Sequence, residues 1–197
     1  MEENIGPTEH VVIKVHRPNL EELIFFLVSG IVISIPFTIF FEQFADQFCF
    51  LLPLFPAELC SIAIIAPLIE EFAKAYPLFY RHGETQRSIF HLGLLTGLGF
   101  GVTEFFLYIF IYNAPIIIRL PGLLFHAAST SIIAYGIGIR KSFVFYLLAV
   151  FLHFSYNFFT VLGSIWYFID AIILIFTYLL SFVLYTRTKE TIINNVP

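Results

Sequence analysis

The chain is 197 residues long, 59% of its residues are hydrophobic, 12% are charged, and its formal net charge is −4. Soluble domains carry about 25% charged residues, so this composition excludes a soluble enzyme and indicates an integral membrane protein with the lipid bilayer around it. At about 20 residues per helical span the chain can hold six or seven spans, and the absence of a basic stripe argues against nucleic acid as a partner.

The first 19 residues are predicted to form a short polar tail and not a signal peptide. They include Glu2, Glu3 and Lys14, whereas a cleavable signal peptide has a basic start followed by an apolar run. We expect three parts in the chain: a cytoplasmic N-terminal tail over residues 1–19, a transmembrane helical domain over 20–187, and a cytoplasmic C-terminal tail over 188–197.

Apolar windows separated by charges, proline or glycine predict six transmembrane helices, and seven is the main alternative. The stretch 48–56 is too short to cross a bilayer as a helix, so it is predicted to lie at the interface or to re-enter the membrane. The predicted fold class is therefore all-α, a polytopic membrane helix bundle. The six predicted spans are 20–41, 57–80, 87–112, 115–139, 142–162 and 164–186.

The basic residues predict the orientation of the bundle. Six spans place eight of the ten lysines and arginines on one side, and the positive-inside rule makes this side cytoplasmic. Both termini are therefore predicted to be cytoplasmic in a multi-pass protein of the cell membrane. The opposite side has Glu42, Asp46 and Glu58 in its first loop. The eight residues are Lys14, Arg17, Arg81, Arg87, Arg140, Lys141, Arg187 and Lys189.

Two cysteines, Cys49 and Cys60, are eleven positions apart near the ends of adjacent apolar runs. Neither a CxxC metal pair nor a disulfide framework is present. We interpret both cysteines as packing residues.

Polar residues inside four predicted spans indicate a functional site. An ionisable group in hydrocarbon costs about 2.5–3.5 kcal/mol on insertion scales, and isolated helix–helix hydrogen bonds explain one or two such residues but not six or seven. Counted from the cytoplasmic ends, all of them except Lys74 lie roughly 15–25 Å deep in a core of about 30 Å, which predicts one shared layer. These residues are Glu70, Glu71, Lys74, Glu104, His126, His153 and Asn157.

The second span carries two adjacent carboxylates and one ammonium group. Glu70 and Glu71 point about 100° apart, so only one of them can face a given site squarely. Lys74 lies one turn further on and can pair with either carboxylate, but an ion pair alone needs only one glutamate. We expect one carboxylate to act as a general base and the other to orient water or substrate.

Three further spans contribute the other polar groups. Glu104 follows a glycine ridge, Gly93, Gly97 and Gly101, that lets another helix approach closely. A carboxylate without a partner would be stranded in such a contact. His126, taken alone, is more typical of a hydrogen-bonded strut than of a ligand. His153 and Asn157 share one helical face and can both donate to one oxygen atom, as developing oxyanion charge in acyl transfer requires.

These motifs, in this order on successive spans, resemble the PrsW family of intramembrane proteases, which is related to the CPBP/CAAX-protease superfamily. The resemblance covers roughly residues 60–160, and the family motif often continues with Asn where this chain has Phe105. The motifs that carry the resemblance are Glu70-Glu71-Phe72-Ala73-Lys74, Phe100-x-x-x-Glu104, His126 and His153-x-x-x-Asn157.

The resemblance implies a role for each residue. Glu70 is the expected water-activating base with Glu71 as its helper, and Glu104 stands where many CAAX-type relatives carry histidine. His153 and Asn157 are the expected oxyanion donors. The supporting residues are His126, which is an additional polar group of the PrsW branch, Lys74, and Arg119, which resembles a basic residue of that branch.

The sequence leaves the catalytic type open. Zinc accepts mixed carboxylate and imidazole ligands, and the candidate metal set has both. The same groups can activate water without a metal, and the lack of a dedicated spacing such as HExxH favours that version. PrsW-type enzymes have been classed as metalloproteases, whereas CAAX-type relatives resemble glutamate-dependent hydrolases. The candidate ligands are Glu70, Glu104, His126 and His153.

The predicted function is hydrolysis of a peptide bond in a membrane-anchored protein or peptide. A proton- or ion-coupled transporter is the main alternative outside enzymes, although no internal repeat is seen. A haem protein with His126 and His153 as axial ligands would leave the glutamates without a role. A scaffold that binds transmembrane helices without cutting them also stays open, as do the identity of the substrate and the oligomeric state.

Overall fold

A computed structural model describes residues 17–80 and 85–190 of the chain. Every regular element in these two ranges is helical, so the all-α prediction is confirmed. The basic residues Lys14 and Arg81 and most of both predicted tails lie outside the described residues. The helices in the described ranges are α1 (Leu20–Cys49), α2 (54–80), α3 (Gln86–Phe110), α4 (Ile116–Gly138), α5 (Ser142–Leu162) and α6 (Ser164–Arg187).

Five helices in the described part of the chain, α1 and α3 to α6, are long and apolar enough to cross a membrane. The helix α2 is also long enough to cross, at about 40 Å, but Glu58, Glu70, Glu71 and Lys74 make it less apolar. The six predicted spans thus correspond to five apolar helices and one polar helix. The chain is a polytopic membrane bundle.

The helix α1 is longer than predicted. The sequence analysis ended the first span at residue 41 because acidic residues follow, but the helix continues to Cys49. The reason is that α2 lies beside this part of α1 and accommodates Asp46, because Ser61 of α2 donates a hydrogen bond to Asp46 Oδ1. The stretch 48–56 is therefore the end of one helix, a tight turn and the beginning of the next helix, and not a separate re-entrant piece. Its location at the membrane interface stays a prediction.

A disulfide joins Cys49 and Cys60 across this turn. The interpretation of both cysteines as separate packing residues is therefore wrong. The tight turn brings their Cα atoms within 5.5 Å of each other, which is a typical separation for a disulfide. The bond ties the end of α1 to the beginning of α2.

The helix α3 packs closely on both sides through glycines. A methyl group added to Gly97 would overlap the carbonyl oxygen of His126 on α4, and one added to Gly99 would overlap the carbonyl oxygen of Leu27 on α1. The predicted glycine ridge is therefore a contact surface between α3 and α4. This close approach brings His126 next to Glu104.

Two wide π-helical turns shape α1 and α2, and each ends just before a proline. The π segment Gly30–Ser34 precedes Pro36, and the segment Leu59–Ile65 precedes Pro67. Proline lacks the N–H that would continue the regular ladder, so the turn before it has a free carbonyl and can widen. In α2 this widening lies one turn before Glu70 and helps to set its direction.

Candidate active site

The helices α2, α3, α4 and α5 bring their polar residues into one cluster near the middle of the bundle. Glu70, Glu71 and Lys74 come from the α-helical part of α2, and all three are buried. Glu104 comes from α3, and the two buried histidines come from α4 and α5. The depths counted from the sequence placed these groups in one layer, and the contacts below show that they meet.

Glu71 lies on the dry side of the cluster. Its side chain has no exposed surface, and its Oε1 atom accepts three hydrogen bonds: from Lys74 Nζ at 2.7 Å, from His153 Nδ1 at 2.9 Å, and from Ser129 Oγ at 3.1 Å. Three donors to one oxygen indicate an ionised carboxylate. Glu71 therefore holds its neighbours in place.

Lys74 sets the tautomer of His126. The Nζ atom lies 2.8 Å from His126 Nδ1, and because an ammonium group can only donate, Nδ1 must accept. The proton of the neutral imidazole is then on Nε2, which donates to Glu104 Oε2. The ring of Phe100, the first residue of the Phe-x-x-x-Glu motif, covers the ammonium at 4.8 Å.

His153 is oriented by Glu71. Because its Nδ1 atom donates to the Glu71 carboxylate, the Nε2 atom of the neutral ring carries a lone pair. This atom lies 3.9 Å from Glu70 Oε2. A neutral His153 therefore presents a proton acceptor, or a metal ligand, to Glu70, and its role as an oxyanion donor stays a prediction.

Glu70 faces a cavity. Its Oε2 atom is buried and accepts no hydrogen bond from the described residues. The same atom is 3.9 Å from His126 Nδ1, 3.9 Å from His153 Nε2 and 3.8 Å from Lys74 Nζ. Both neighbouring glutamates have a buried Oε2 atom without a hydrogen-bond partner among the described residues. They differ in that Glu71 Oε1 receives three donors and Glu71 does not line the cavity, whereas Glu70 does.

Asn157 lies on the cavity wall one turn from His153, as its spacing predicted. Its Nδ2 group donates to the carbonyl oxygen of Ile62 at 2.9 Å. This carbonyl belongs to the π-helical segment Leu59–Ile65 of α2. One of the two amide N–H groups is therefore engaged, and the other is the donor that a substrate oxygen could use.

The cavity has a volume of about 440 Å³ and is bounded by α1 to α5. It extends from the cluster toward the helix ends that carry the α1–α2 and α3–α4 turns. Arg119 lies in its wall, stacked 3.3 Å from the ring centroid of Tyr108. The lining side chains with polar groups are Glu42, Glu58, Ser61, Glu70, Glu104, Tyr108, Arg119, His126, His153, Tyr156, Asn157 and Thr160.

Several of these residues were not predicted to belong to a site. Glu42 was assigned to a loop, but it reaches the cavity because α1 continues beyond it. Tyr108 and Tyr156 were not among the predicted site residues, but both line the cavity. Tyr108 follows Glu104 by one helical turn, and this spacing was the available signal.

The cluster contains ligands of the types that zinc accepts. Ligand atoms of Glu70, His126 and His153 all lie within 4.8 Å of one another, and Glu71 fixes His153 as carboxylates do for metal-bound histidines. The carboxylates of Glu70, Glu71 and Glu104 and the ammonium group of Lys74 together carry a formal charge of −2, which a divalent cation would balance. Glu104 is not in this group, because its carboxylate binds the other nitrogen of His126. The residues fit a metal in type and charge, provided that Lys74 releases His126 Nδ1.

Comparison with known proteins gives one match. The model of the PrsW family, described as intramembrane metalloproteases, matches residues 18–185. This range covers most of the chain and is broader than the motif core over 60–160. No curated protein and no solved structure matches the chain.

Proposed function

The chain belongs to the PrsW family of intramembrane metalloproteases. We propose that it hydrolyses a peptide bond of a membrane-anchored protein or peptide, with Glu70 as the catalytic base. One observation carries this proposal. Glu70 Oε2 is buried, accepts no hydrogen bond from the described residues, and lies 3.9 Å from two imidazole nitrogens beside a cavity. An unused acceptor in this position is suited to hold an attacking water.

Glu70 and His153 are the proposed water-binding pair. Glu70 Oε2 and His153 Nε2 are both acceptors, so one water can donate a hydrogen bond to each. As the water oxygen bonds to the substrate carbonyl carbon, Glu70 Oε2 accepts its proton and later returns this proton to the leaving nitrogen. The second N–H of Asn157 is the proposed donor to the carbonyl oxygen as negative charge develops there.

The surrounding residues hold this pair in position. Glu71 orients His153 through its Nδ1 atom, and Lys74 connects Glu71 to His126. A zinc ion would be held by Glu70, His126 and His153, and when bound it would polarise the substrate carbonyl and make a water more acidic. Glu104 also faces the cavity, beside His126, and is a second carboxylate that can accept a proton.

The position of the cavity supports access from one side. Its outer wall includes Glu58, Tyr108 and Arg119, which lie near the turns opposite the basic loops. With the predicted orientation, this is the non-cytoplasmic side of the cell membrane. We therefore propose that a substrate reaches Glu70 from the non-cytoplasmic face.

The test is cleavage of single-span membrane peptides by the purified protein in liposomes. Glu70→Gln is expected to lower the rate by about 10²- to 10⁴-fold, the usual contribution of a general base, while the protein still folds. Glu21→Gln, on the exposed surface of α1, is the matched control and is expected to cleave normally. Cleavage by Glu70→Gln at the wild-type rate would reject the proposal.

A chelator arm separates the two catalytic types. Loss of cleavage after chelation, with recovery on adding zinc, would support zinc at Glu70, His126 and His153. Cleavage that is insensitive to chelation but still needs Glu70 would assign the reaction to the carboxylate alone. A transporter or a scaffold would show no Glu70-dependent cleavage in either arm.

A further inference from the structure

The guanidinium group of Arg119 places a positive charge in the wall of the cavity. It lies in the first turns of α4, and no lysine or second arginine lines the cavity in the part of the chain that the structure describes. Glu42, Glu58, Glu70 and Glu104 line the same cavity. An arginine in a wall with four carboxylates would be expected to pair with one of them.

Arg119 makes no such pair. Within the described residues, its guanidinium has no hydrogen-bond acceptor and no ion pair, and its contact is the face of Tyr108 at 3.3 Å. Glu104 is already bound to His126. Stacking holds the flat face of a guanidinium and leaves its five in-plane N–H donors unused. Tyr108 therefore fixes the group while its donors remain available to a ligand in the cavity.

We propose that Arg119 binds a carboxylate of the substrate and thereby selects where the chain is cut; this inference rests on the proposed function. A fixed guanidinium matches a carboxylate through two parallel hydrogen bonds. The carboxylate can be an acidic side chain or the carboxyl terminus of the substrate. Glu42 and Glu58 repel acidic groups elsewhere in the cavity, so the preference is specific for one position.

The helix geometry gives the position. Arg119 precedes His126 by seven residues on α4, which is about 10 Å along the helix axis. An extended peptide rises about 3.3 Å per residue. The preferred carboxylate is therefore about three residues from the scissile bond, on the side of the substrate that faces the outer end of the cavity.

The experiment compares membrane peptides that differ in one charge. The parent peptide is neutral near its cleavage site. Each variant has a single Asp or a single Lys, at one of the six positions before or the six positions after the scissile bond. A further pair ends three residues beyond the cleavage site, with either a free or an amidated carboxyl terminus. Wild-type protein is expected to cut the peptide with Asp at about the third position about 10- to 100-fold faster in kcat/KM than the neutral peptide.

Substitutions of Arg119 test the assignment. Arg119→Gln is expected to remove the preference for Asp, mainly through KM, and Arg119→Lys to keep part of it. Arg119→Glu is expected to transfer the preference to the peptide with Lys at the same position, a gain that a damaged protein would not show. Arg187→Gln and Arg187→Glu, on the exposed end of α6, are the matched controls and should keep the wild-type preference.

The outcomes separate this inference from the proposed function. Glu70-dependent cleavage with equal rates for acidic and neutral peptides would overturn the role of Arg119 and leave the protease proposal intact. The same holds if Arg119→Gln keeps the preference for Asp. A preference for the free carboxyl terminus over internal Asp would identify that terminus as the bound group. Absence of Glu70-dependent cleavage from every peptide would reject both proposals.

Discussion

Glu70 and Glu71 are neighbours in the chain, but only Glu70 lines the cavity. Glu71 is fully buried, and its Oε1 atom receives hydrogen bonds from Lys74, His153 and Ser129, while its Oε2 atom has no hydrogen-bond partner among the described residues. Glu70 faces the cavity with one oxygen that accepts no hydrogen bond from the described residues. We therefore expect the dry half of the cluster, Glu71 with Lys74 and Ser129, to stabilise the bundle, and the cavity half, which contains Glu70, to keep an acceptor available for chemistry. A helix achieves this division because adjacent residues point about 100° apart.

The largest effect on stability is expected when the dry half of the cluster loses the ammonium group of Lys74. Lys74→Met leaves the Glu71 carboxylate buried without its ammonium partner, and breaking a buried ion pair costs about 3–5 kcal/mol. The unfolding midpoint in detergent should fall steeply, whereas Glu70→Gln should leave it nearly unchanged. Lys141→Met, at an exposed position, is the control. An unchanged midpoint for Lys74→Met would show that the dry half does not stabilise the protein.

The zinc version of the proposal predicts that zinc stabilises the protein by binding in the cavity half, at Glu70, His126 and His153. A ligand at a hundred times its Kd stabilises a folded protein by about 2.7 kcal/mol. Wild-type protein should retain about one zinc per chain after dialysis and should unfold at a higher temperature with zinc. Glu70→Gln and His153→Ala should lose both effects. Metal analysis that finds no retained zinc in the wild type would argue against the proposed ligands.

A smaller effect is expected where α3 meets α4. Gly97→Ala would place a methyl group against the carbonyl oxygen of His126, and such overpacking costs about 1–3 kcal/mol. Gly122→Ala is the matched control, because a methyl group there has no atom within 4 Å and alanine favours helix by about 1 kcal/mol. The two variants should shift the unfolding midpoint in opposite directions. Equal shifts would show that the glycine contact does not hold these helices together.

The smallest effect is expected from a single neutral donor on the dry half. Ser129→Ala removes one of the three hydrogen bonds to Glu71 Oε1, at a cost of about 1 kcal/mol. Ser155→Ala, whose hydroxyl donates to Phe151 in its own helix, is the control and should change the midpoint less. If both variants behave alike, the bond from Ser129 adds no stability beyond that of an ordinary helix hydroxyl.

The sequence predicted the later part of the fold well. The bounds of α3 to α6 agree with the predicted spans within two residues, because glycine, proline or charges interrupt the apolar windows there. The end of α1 was missed because Glu42 and Asp46 resemble loop residues until α2 is placed beside them. The disulfide was missed for the same reason, since it depends on a turn that brings Cys49 and Cys60 together.

The composition of the cluster followed from the sequence, but its hydrogen bonding did not. Polar residues in apolar spans are costly, so their presence marked the layer. Which nitrogen of His153 faces Glu70 depends on Glu71, which is 82 positions away in the chain. The stacking of Arg119 on Tyr108 likewise joins two helices. Such contacts have no local pattern, so only the assembled helices could reveal them.

The bond between Cys49 and Cys60 bears on the environment in which this protein matures. Disulfides persist in oxidising compartments and are rare where thiol reductants are abundant. The bond lies at the helix ends away from the basic loops, so the distribution of positive charge and the redox chemistry of cysteine both predict that this face is exterior. Protein made without access to an oxidant would carry two thiols there, and α1 would lose its covalent tether to the helix that bears Glu70.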